Sequence, residues 1–236
     1  MRQTVRLLSI DLRGIPRAAR GALTPGRAEL ETLSSKVRAA APGVELVLLA
    51  DGDCFEIYTT EEGRQVVFST VLAPLVENLS SEARSSIRTT EVVGVAAAWH
   101  LMHLLVDSSA HSGVRMLGAL NVAVERARAA GTLGHELSAL FACAADAGWR
   151  VQGETVLGDP ASSLSERELD WFEAQRIVEE ELVHWQAARA SDGVVQSVPP
   201  KRLDPSYYAA SEPGSSVRLK VPALRQLGVA EVRKLA

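Results

Sequence analysis

The segment Glu45–Thr60 reads ELVLLADGDCFEIYTT. Its two ends, Glu45–Leu49 and Phe55–Thr60, are short runs rich in aliphatic, aromatic and β-branched residues, as is typical of buried strands. The segment between them, Ala50–Cys54, holds two aspartates and a glycine, which favour a tight turn. We therefore predict two strands joined by a short connection, with Cys54 in the turn.

On either side of this segment, the pattern predicts four further elements before residue 94. Thr4–Asp11 is expected to be a buried strand, and Arg27–Ala40 a helix with one apolar face. Val71–Leu79 is predicted to be helical, and Thr89–Val93 to be a short strand. Together these give the order βαββαβ, which is a split-βαβ or ferredoxin-like arrangement over residues 1–93.

The rest of the chain is predicted to be mainly helical. A helical subdomain is expected over residues 94–158, a long connecting helix over 159–193, and a linker with a C-terminal extension over 194–236. The individual helices follow the apolar periodicity and the glycine breaks. They are Ala96–Val106, Val114–Ala130, Glu136–Ala147 and Glu166–Ala190. The predicted fold class is therefore α+β.

Composition excludes several classes of protein. The 236 residues carry a net charge of −4, so the chain as a whole does not attract phosphate backbones. The longest apolar stretch, Val92–Val106, is too short to span a bilayer, and no signal peptide is recognised at the N-terminus. Cys54 and Cys143 are the only cysteines and lie far apart in sequence. We therefore expect a cytoplasmic protein without a membrane segment, a disulfide or a zinc site.

Motifs for nucleotide and metal binding are missing from the sequence. No GxGxxG follows a strand and there is no P-loop, which predicts that the chain binds no nicotinamide cofactor by itself. His100 and His103 form an i, i+3 pair that could bind a metal, but no carboxylate lies at suitable spacing. Two partly buried histidines are the alternative, and we predict no metal and no cofactor.

Two groups of residues are candidates for chemistry. Cys54 is a possible nucleophile or a plain half-buried cysteine, and the acidic residues around it are expected to raise its pKa. Arg13, Arg17 and Arg20 follow the first strand closely, where they could meet a phosphate or a carboxylate, or form a solvated loop.

Five segments in order resemble glutamyl-tRNA reductase, an NADPH-dependent enzyme of tetrapyrrole biosynthesis. Asp11–Arg20 matches the family's Asn-His-(Lys/Arg)-Thr-Ala-Pro-Val-x-x-Arg, and Leu49–Tyr58 matches its nucleophile motif Leu-Ser-Thr-Cys-Asn-Arg-x-Glu-Ile-Tyr. Ala130–Gly134 is similar to Ala-Gly-Thr-Val-Gly, and Gly148–Thr155 to Gly-Lys-Arg-Val-Arg-Thr-Glu-Thr. Ile177–Leu182 resembles the segment that leads into the family's dimerisation helices.

The departures from the family concern the active site. The nucleophilic cysteine falls on Gly52, while Cys54 falls on the motif's arginine, about 6–7 Å away along an extended segment. Asp11 and Leu12 replace the family's Asn and His. Only about twenty residues separate Thr155 from the Glu-rich part of the long helix, so the family's Rossmann domain is missing from this chain.

The resemblance implies a non-reducing relative of the reductase, in which the substrate-binding positions would be Arg13, Arg17, Arg20, Glu56, His100 and Arg150. We expect a binding, regulatory or assembly subunit linked to tetrapyrrole biosynthesis or to aminoacyl-tRNA-dependent metabolism. Its expected partners are a tRNA or aminoacyl-tRNA, or an enzyme of tetrapyrrole metabolism. The first alternative is an acyltransferase or esterase that uses Cys54, and the second is a tetrapyrrole- or haem-binding protein.

A homodimer is also expected. Four apolar residues of the long helix, Phe172, Ile177, Leu182 and Trp185, need a surface to cover them. A second copy of the chain, packed through this helix or through the C-terminal extension, would provide that surface.

Overall fold

The computed structural model describes residues 4–13, 15–51, 54–77, 79–85, 87–106, 110–155, 164–190 and 233–235. The chain divides into two compact units. The first comprises Met1–Ala97, Ala119–Ser138 and Gly228–Ala236, and the second comprises Ala98–Gly118 and Ala139–Leu227. Of the linker and C-terminal extension predicted at 194–236, the structure describes only residues 233–235.

The first unit is built on an antiparallel sheet. Its strands are β1 (Val5–Asp11), β2 (Leu46–Asp51), β3 (Cys54–Thr60), β4 (Arg88–Val93) and the short β5 (Arg233–Leu235). Their order is β2-β3-β1-β4-β5, so β3 lies between β1 and β2 and is antiparallel to both. The predicted α+β class is confirmed, and the sheet of the first 93 residues contains the four predicted strands. The prediction for Cys54 was wrong, because it begins β3 instead of lying in the turn.

The pairing register of the strands shows which side chains share a face of the sheet. Leu8 lies opposite Ile57, and Ile10 lies opposite Phe55, so these side chains share one face. That face carries the main apolar core, together with Leu46 and Leu48 of β2. The opposite face is buried as well, since Leu7 and Tyr58 are both 0% exposed. Burial on both faces accounts for the nearly continuous apolar sequence of the strands.

Four helical segments supply the helix side of this core. They are α1 (Arg17–Leu23), α2 (Arg27–Ala40), a continuous run from Glu61 to Glu77, and α5 (Ser81–Ser85). The run comprises a 3₁₀ turn at Glu61–Gly63, α3 (Arg64–Val67), a π-turn at Phe68–Leu72 and α4 (Ala73–Glu77). The expected loop after the first strand was wrong in part, because residues 17–23 form α1.

The boundary of α2 is set by a capping contact. The carboxylate of Glu29 accepts a 2.7 Å hydrogen bond from the backbone N–H of Gly26, just before the helix. Leu30, Leu33 and Val37 are buried along one face, as the periodicity predicts.

The last part of α7 (Ala110–Ala129) and the start of α8 (His135–Glu154) attach to the edge of β2. The backbone N–H of Leu46 donates a 2.8 Å hydrogen bond to the carbonyl of Thr132, whose hydroxyl donates a 2.9 Å bond back to the carbonyl of Leu46. Glu45 then caps α8, because its carboxylate accepts hydrogen bonds from the N–H groups of Glu136 (3.2 Å) and Leu137 (2.8 Å). The Ala-Gly-Thr-Leu-Gly segment therefore has a structural role.

The second unit is helical and contains most of α6 (Val95–Val106), α8 and α9 (Leu164–Ala190). α8 extends beyond the predicted end at Ala147, through Gly148. A Cβ on Gly148 would lie 2.6 Å from a methyl group of Leu117 and 3.3 Å from Leu105. Glycine therefore permits close helix packing at this position instead of ending the helix.

Among the described residues, no helix combines the length and the apolar character that crossing a membrane requires.

Candidate functional site

Polar side chains form a row on one face of β3. Cys54, Glu56 and Tyr58 are two residues apart, so they project to the same face of the sheet. The register places Asp11 opposite Cys54 and Ser9 opposite Glu56 on β1. This face of the sheet lies opposite the main apolar core. The row therefore places polar side chains on a buried face.

The centre of the row is a buried carboxylate. Glu56 is 1% exposed, and its Oε2 accepts a 2.7 Å hydrogen bond from the hydroxyl of Tyr58. Its Oε1 accepts a longer hydrogen bond, 3.4 Å, from the hydroxyl of Ser9. Burial raises the pKa of Tyr58 well above its usual value, and the charge of Glu56 raises it further. The phenol therefore stays protonated and remains a donor to Glu56.

Cys54 lies at the open end of this row. Its side chain is half-buried, and it forms no disulfide within the described part of the chain. A charge on Cys54 would raise the pKa of Tyr58, which shows that the thiol and the phenol are near one another. Asp11, opposite Cys54 on β1, and Glu56, two residues later on β3, are acidic and disfavour a thiolate at this place.

Arg13 and Arg20, which follow β1, form their contacts with residues of the same segment of chain. The guanidinium of Arg13 donates to Asp11 through Nε (2.9 Å) and Nη2 (3.0 Å), and it lowers the pKa of Asp11. Arg20 donates to the carbonyls of Ile15 (2.9 Å) and Arg13 (3.0 Å), which closes the turn before α1. The side chain of Arg17 lies outside the described residues.

Arg150 belongs to the second unit, where it joins α8 to α9. Its guanidinium donates to Glu154 and Glu181 at 2.9 Å and to Glu180 at 3.0 Å. Hydrogen bonds to these carboxylates raise the pKa of Arg150. These ion pairs connect α8 to α9.

The two histidines of α6 also belong to the second unit. The ring of His103 stacks on Trp99 with centroids 3.6 Å apart, and its Nδ1 lies 3.4 Å from the side-chain nitrogen of Gln175. Burial, with a smaller contribution from His100, lowers the pKa of His103 to about 4, so the ring is neutral at physiological pH. Its Nε2 is buried and has no hydrogen-bond partner in the part of the chain that the structure describes.

The described residues contain no group of three or more His, Cys, Asp and Glu side chains that could hold a metal ion. Cys143, the second thiol, lies in the second unit. Burial and the nearby carboxylates of Glu181 and Asp146 raise its pKa to about 11.

The structure thus places the predicted site residues in two groups. Cys54, Glu56, Arg13 and Arg20 lie in the first unit, whereas His100 and Arg150 lie in the second. Ser9 and Tyr58 were not among the site residues predicted from the sequence. The alternation of β3 could have identified Tyr58, but Ser9 becomes apparent only from the pairing register of β1 with β3.

No protein-family model matches this sequence, and a search of curated proteins gave no match. Among solved structures, the chain is similar to the glutamyl-tRNA reductase from Methanopyrus kandleri, with 19% sequence identity and a TM-score of 0.48. The similarity covers 78% of this chain and 47% of that chain, so this chain spans about half the length of that protein.

Proposed function

We propose that this chain is a non-reducing relative of glutamyl-tRNA reductase that acts as a binding subunit, with a regulatory or assembly role in tetrapyrrole or aminoacyl-tRNA metabolism. The main observation that supports the proposal is that the polar groups of the row on β3 are already hydrogen-bonded within the protein. The buried carboxylate of Glu56 already accepts hydrogen bonds from Tyr58 and Ser9. A substrate would have to displace these contacts before it could bind there.

The remaining candidate groups support the same proposal. Arg13 and Arg20, which would have to recognise an anionic substrate, are engaged by Asp11 and by backbone carbonyls. Attack on an ester needs a thiolate that lies within reach of the carbonyl carbon. Cys54 is displaced by two residues from the family's nucleophile position, and its neighbours Asp11 and Glu56 are acidic.

We also propose which elements of this chain correspond to parts of the family's fold. The four strands β1–β4 with α2 and the helical run Glu61–Glu77 would correspond to the family's N-terminal domain in a ferredoxin-like arrangement. α9 would correspond to the family's connecting helix. On this assignment, the chain keeps the substrate-side scaffold without a nicotinamide-binding domain.

The proposed homodimer needs a different surface from the one expected from sequence. Ile177, Leu182 and Trp185 are buried within the chain, whereas Phe172 is 74% exposed. Val183, eleven residues later, is 60% exposed and lies on the same helix face after about three turns. We propose that a second copy covers Phe172 and Val183.

Two measurements on the purified full chain test the proposal. The first is turnover of labelled glutamyl-tRNA with and without NADPH, for which we expect none. The second is the molar mass by light scattering, alone and with a full-length reductase from the same organism. We expect a dimer, or a complex with the reductase, that the double substitution Phe172→Ser and Val183→Ser disrupts.

The matched control for the mass measurement is Val122→Ser, which removes an exposed valine from α7 and should leave the assembly intact. NADPH-dependent turnover by the chain would refute the non-reducing assignment. A wild-type monomer that does not associate with the reductase would refute the assembly role.

A tetrapyrrole or haem ligand is the second candidate, and the state of His103 favours it. The neutral imidazole of His103 has an Nε2 without a partner among the described residues, and this atom would bind an iron centre in the tautomer that leaves it unprotonated. An absorbance titration with haem should then show a band that His103→Phe abolishes and His100→Gln preserves. An identical titration of all three proteins would eliminate this candidate.

A further inference from the structure

The exposed side of α9 carries a regular stripe of residues. Its members are spaced by four, three and four positions, which is the spacing of a coiled-coil seam. On a helix of 3.6 residues per turn, these positions fall within about 60° of one another. The members of this α9 stripe are Phe172, Arg176, Glu179 and Val183, and all four are exposed. The buried residues of the helix centre on its opposite side; they are Ala174, Ile177, Val178, Glu181, Leu182 and Trp185.

The two ends of the α9 stripe are apolar side chains that face solvent. Phe172 is 74% exposed and Val183 is 60% exposed. A shallow open groove of about 260 Å³ lies beside Val183, and its lining includes Arg176 and Glu179. A phenylalanine side chain can bury about 150–250 Å² of surface, so Phe172 would gain the most from a covering surface.

The two central residues of the α9 stripe carry opposite charges. Glu179 forms no ion pair with any other residue that the structure describes. Arg176 pairs with Glu173 and Glu180, which lie three and four residues away on its own helix. Exposed pairs of this kind contribute little to stability, and a guanidinium has five N–H donors. Arg176 can therefore donate to a further carboxylate without leaving these partners.

The α9 stripe is complementary to itself about a two-fold axis. The midpoint between Phe172 and Val183 falls between residues 177 and 178, and so does the midpoint between Arg176 and Glu179. An antiparallel second copy of the helix would therefore set Phe172 opposite Val183, and Arg176 opposite Glu179, with each pair occurring twice. A parallel copy would set Arg176 against Arg176 and Glu179 against Glu179. Repulsion between like charges disfavours that orientation.

We propose that α9 pairs with α9 of a second copy in an antiparallel, two-fold arrangement, in which Arg176 of each chain contacts Glu179 of the other. This arrangement rests on the proposed homodimer and adds its orientation and the ion pair that selects it. In the family, the dimerisation helices follow the segment that Ile177–Leu182 resembles, so the pairing of α9 itself is not part of the resemblance. The two phenylalanines would bury about 300–500 Å², which is small for a permanent interface. We therefore expect a dimer that dissociates on dilution.

The test is the dimer dissociation constant of the full chain, measured by sedimentation equilibrium between about 1 and 100 μM. Arg176→Glu and Glu179→Arg should each raise this constant by about tenfold or more, because each reversal acts twice across the two-fold axis. An equimolar mixture of the two variants should recover the wild-type constant to within about threefold. In the mixed dimer, every facing pair again joins opposite charges.

Arg128→Glu and Glu125→Arg are the matched controls. They make the same changes of net charge at an exposed ion pair of α7. They should change the dissociation constant by no more than about twofold. Arg176→Glu also removes the pairs of Arg176 within its own helix, so recovery in the mixture is the result that assigns the loss to the interface.

Cysteine cross-linking tests the orientation, in a background of Cys54→Ser and Cys143→Ser. Phe172→Cys mixed with Val183→Cys should form a mixed disulfide under mild oxidation. Phe172→Cys alone should not cross-link. In the antiparallel arrangement its two copies are offset by eleven residues of helix, or about 16 Å, which is beyond the reach of a disulfide.

Two kinds of result would overturn the pairing and leave the proposed homodimer standing. The first is a wild-type dimer that neither reversal weakens, or that the mixture of variants does not restore. The second is cross-linking of Phe172→Cys with itself, which would indicate a parallel arrangement. A wild-type monomer at every concentration would overturn the pairing and the homodimer together. The non-reducing assignment and the association with a reductase would then be judged by their own measurements.

Discussion

The hydroxyl of Tyr58 donates a 2.7 Å hydrogen bond to the carboxylate of Glu56, two residues before it on the same strand. Both side chains are almost fully buried, at 0% and 1% exposure. A buried carboxylate is tolerated when donors surround it, and Ser9 supplies a second donor. The pair therefore stabilises the fold at the place where the sequence predicts chemistry.

Replacing Tyr58 with Phe should destabilise the protein by about 1.5–3 kcal/mol, because it leaves the buried carboxylate of Glu56 without its short hydrogen bond. Ser9→Ala should cost less, since the hydroxyl of Ser9 lies 3.4 Å from Glu56. Urea unfolding at neutral pH measures both free energies. Equal effects of the two substitutions would contradict the assigned order of strength.

Replacing Gly134 with Ala should destabilise the first unit by about 1–2 kcal/mol. A Cβ at this position would lie 2.3 Å from the carboxylate of Glu45, which caps α8, so the cap would have to move. Gly43→Ala is the control, since a Cβ there meets no described atom within 4 Å. Thermal unfolding of the two variants should show a loss only for Gly134→Ala.

The stability of the second unit should fall as the pH drops from about 6.5 towards 4. The pKa of His103 is about 4 in the fold, against an ordinary value of 6.5, so the unfolded chain takes up a proton first. Stability is complete above pH 6.5, and about 3 kcal/mol is lost by pH 4. Urea unfolding followed by tryptophan fluorescence at several pH values measures this loss.

His103→Phe keeps an aromatic ring against Trp99 but removes the titrating group, so it should flatten the acid dependence between these pH values. His100→Gln should preserve the dependence. A wild-type stability that does not change between pH 7 and 5 would rule out the neutral state assigned to His103.

Cys143 should be nearly inert to alkylation at pH 8, because burial raises the pKa of its thiol to about 11. The measurement uses Cys54→Ser, which leaves Cys143 as the single thiol. Its alkylation rate should rise steeply only above pH 9 and should become fast at pH 8 in urea. Fast labelling of the folded variant at pH 8 would conflict with the assigned burial.

The strands and α2 were predictable from the sequence because alternation and helical periodicity are local signals. The end of α8 was not, because Gly148 resembles a stop signal, yet here it allows Leu117 to approach closely. α1 was missed because its first turn is held by Arg20, which reaches back to the carbonyl of Ile15. The predicted boundaries between subdomains, after residues 93, 158 and 193, remain predictions.

The candidate site was predictable in part for a similar reason. Glu56 and Tyr58 lie on one predicted strand, so their shared face follows from spacing, whereas Cys54 was predicted to lie in the turn before it. The contribution of Ser9 depends on the register between β1 and β3, which a single sequence does not encode locally. The engagement of Arg13 by Asp11 is a matter of side-chain direction, and no sequence pattern specified it.

Cys54 should not act as an acyl acceptor, and intact-protein mass spectrometry can detect an acyl adduct on it. The full chain is incubated with glutamyl-tRNA and quenched in acid, beside the variants Cys54→Ser and Cys143→Ser. We expect each of the three proteins to keep its own unmodified mass. A glutamyl adduct on the wild type and on Cys143→Ser, absent from Cys54→Ser, would contradict it and favour acyl transfer through Cys54.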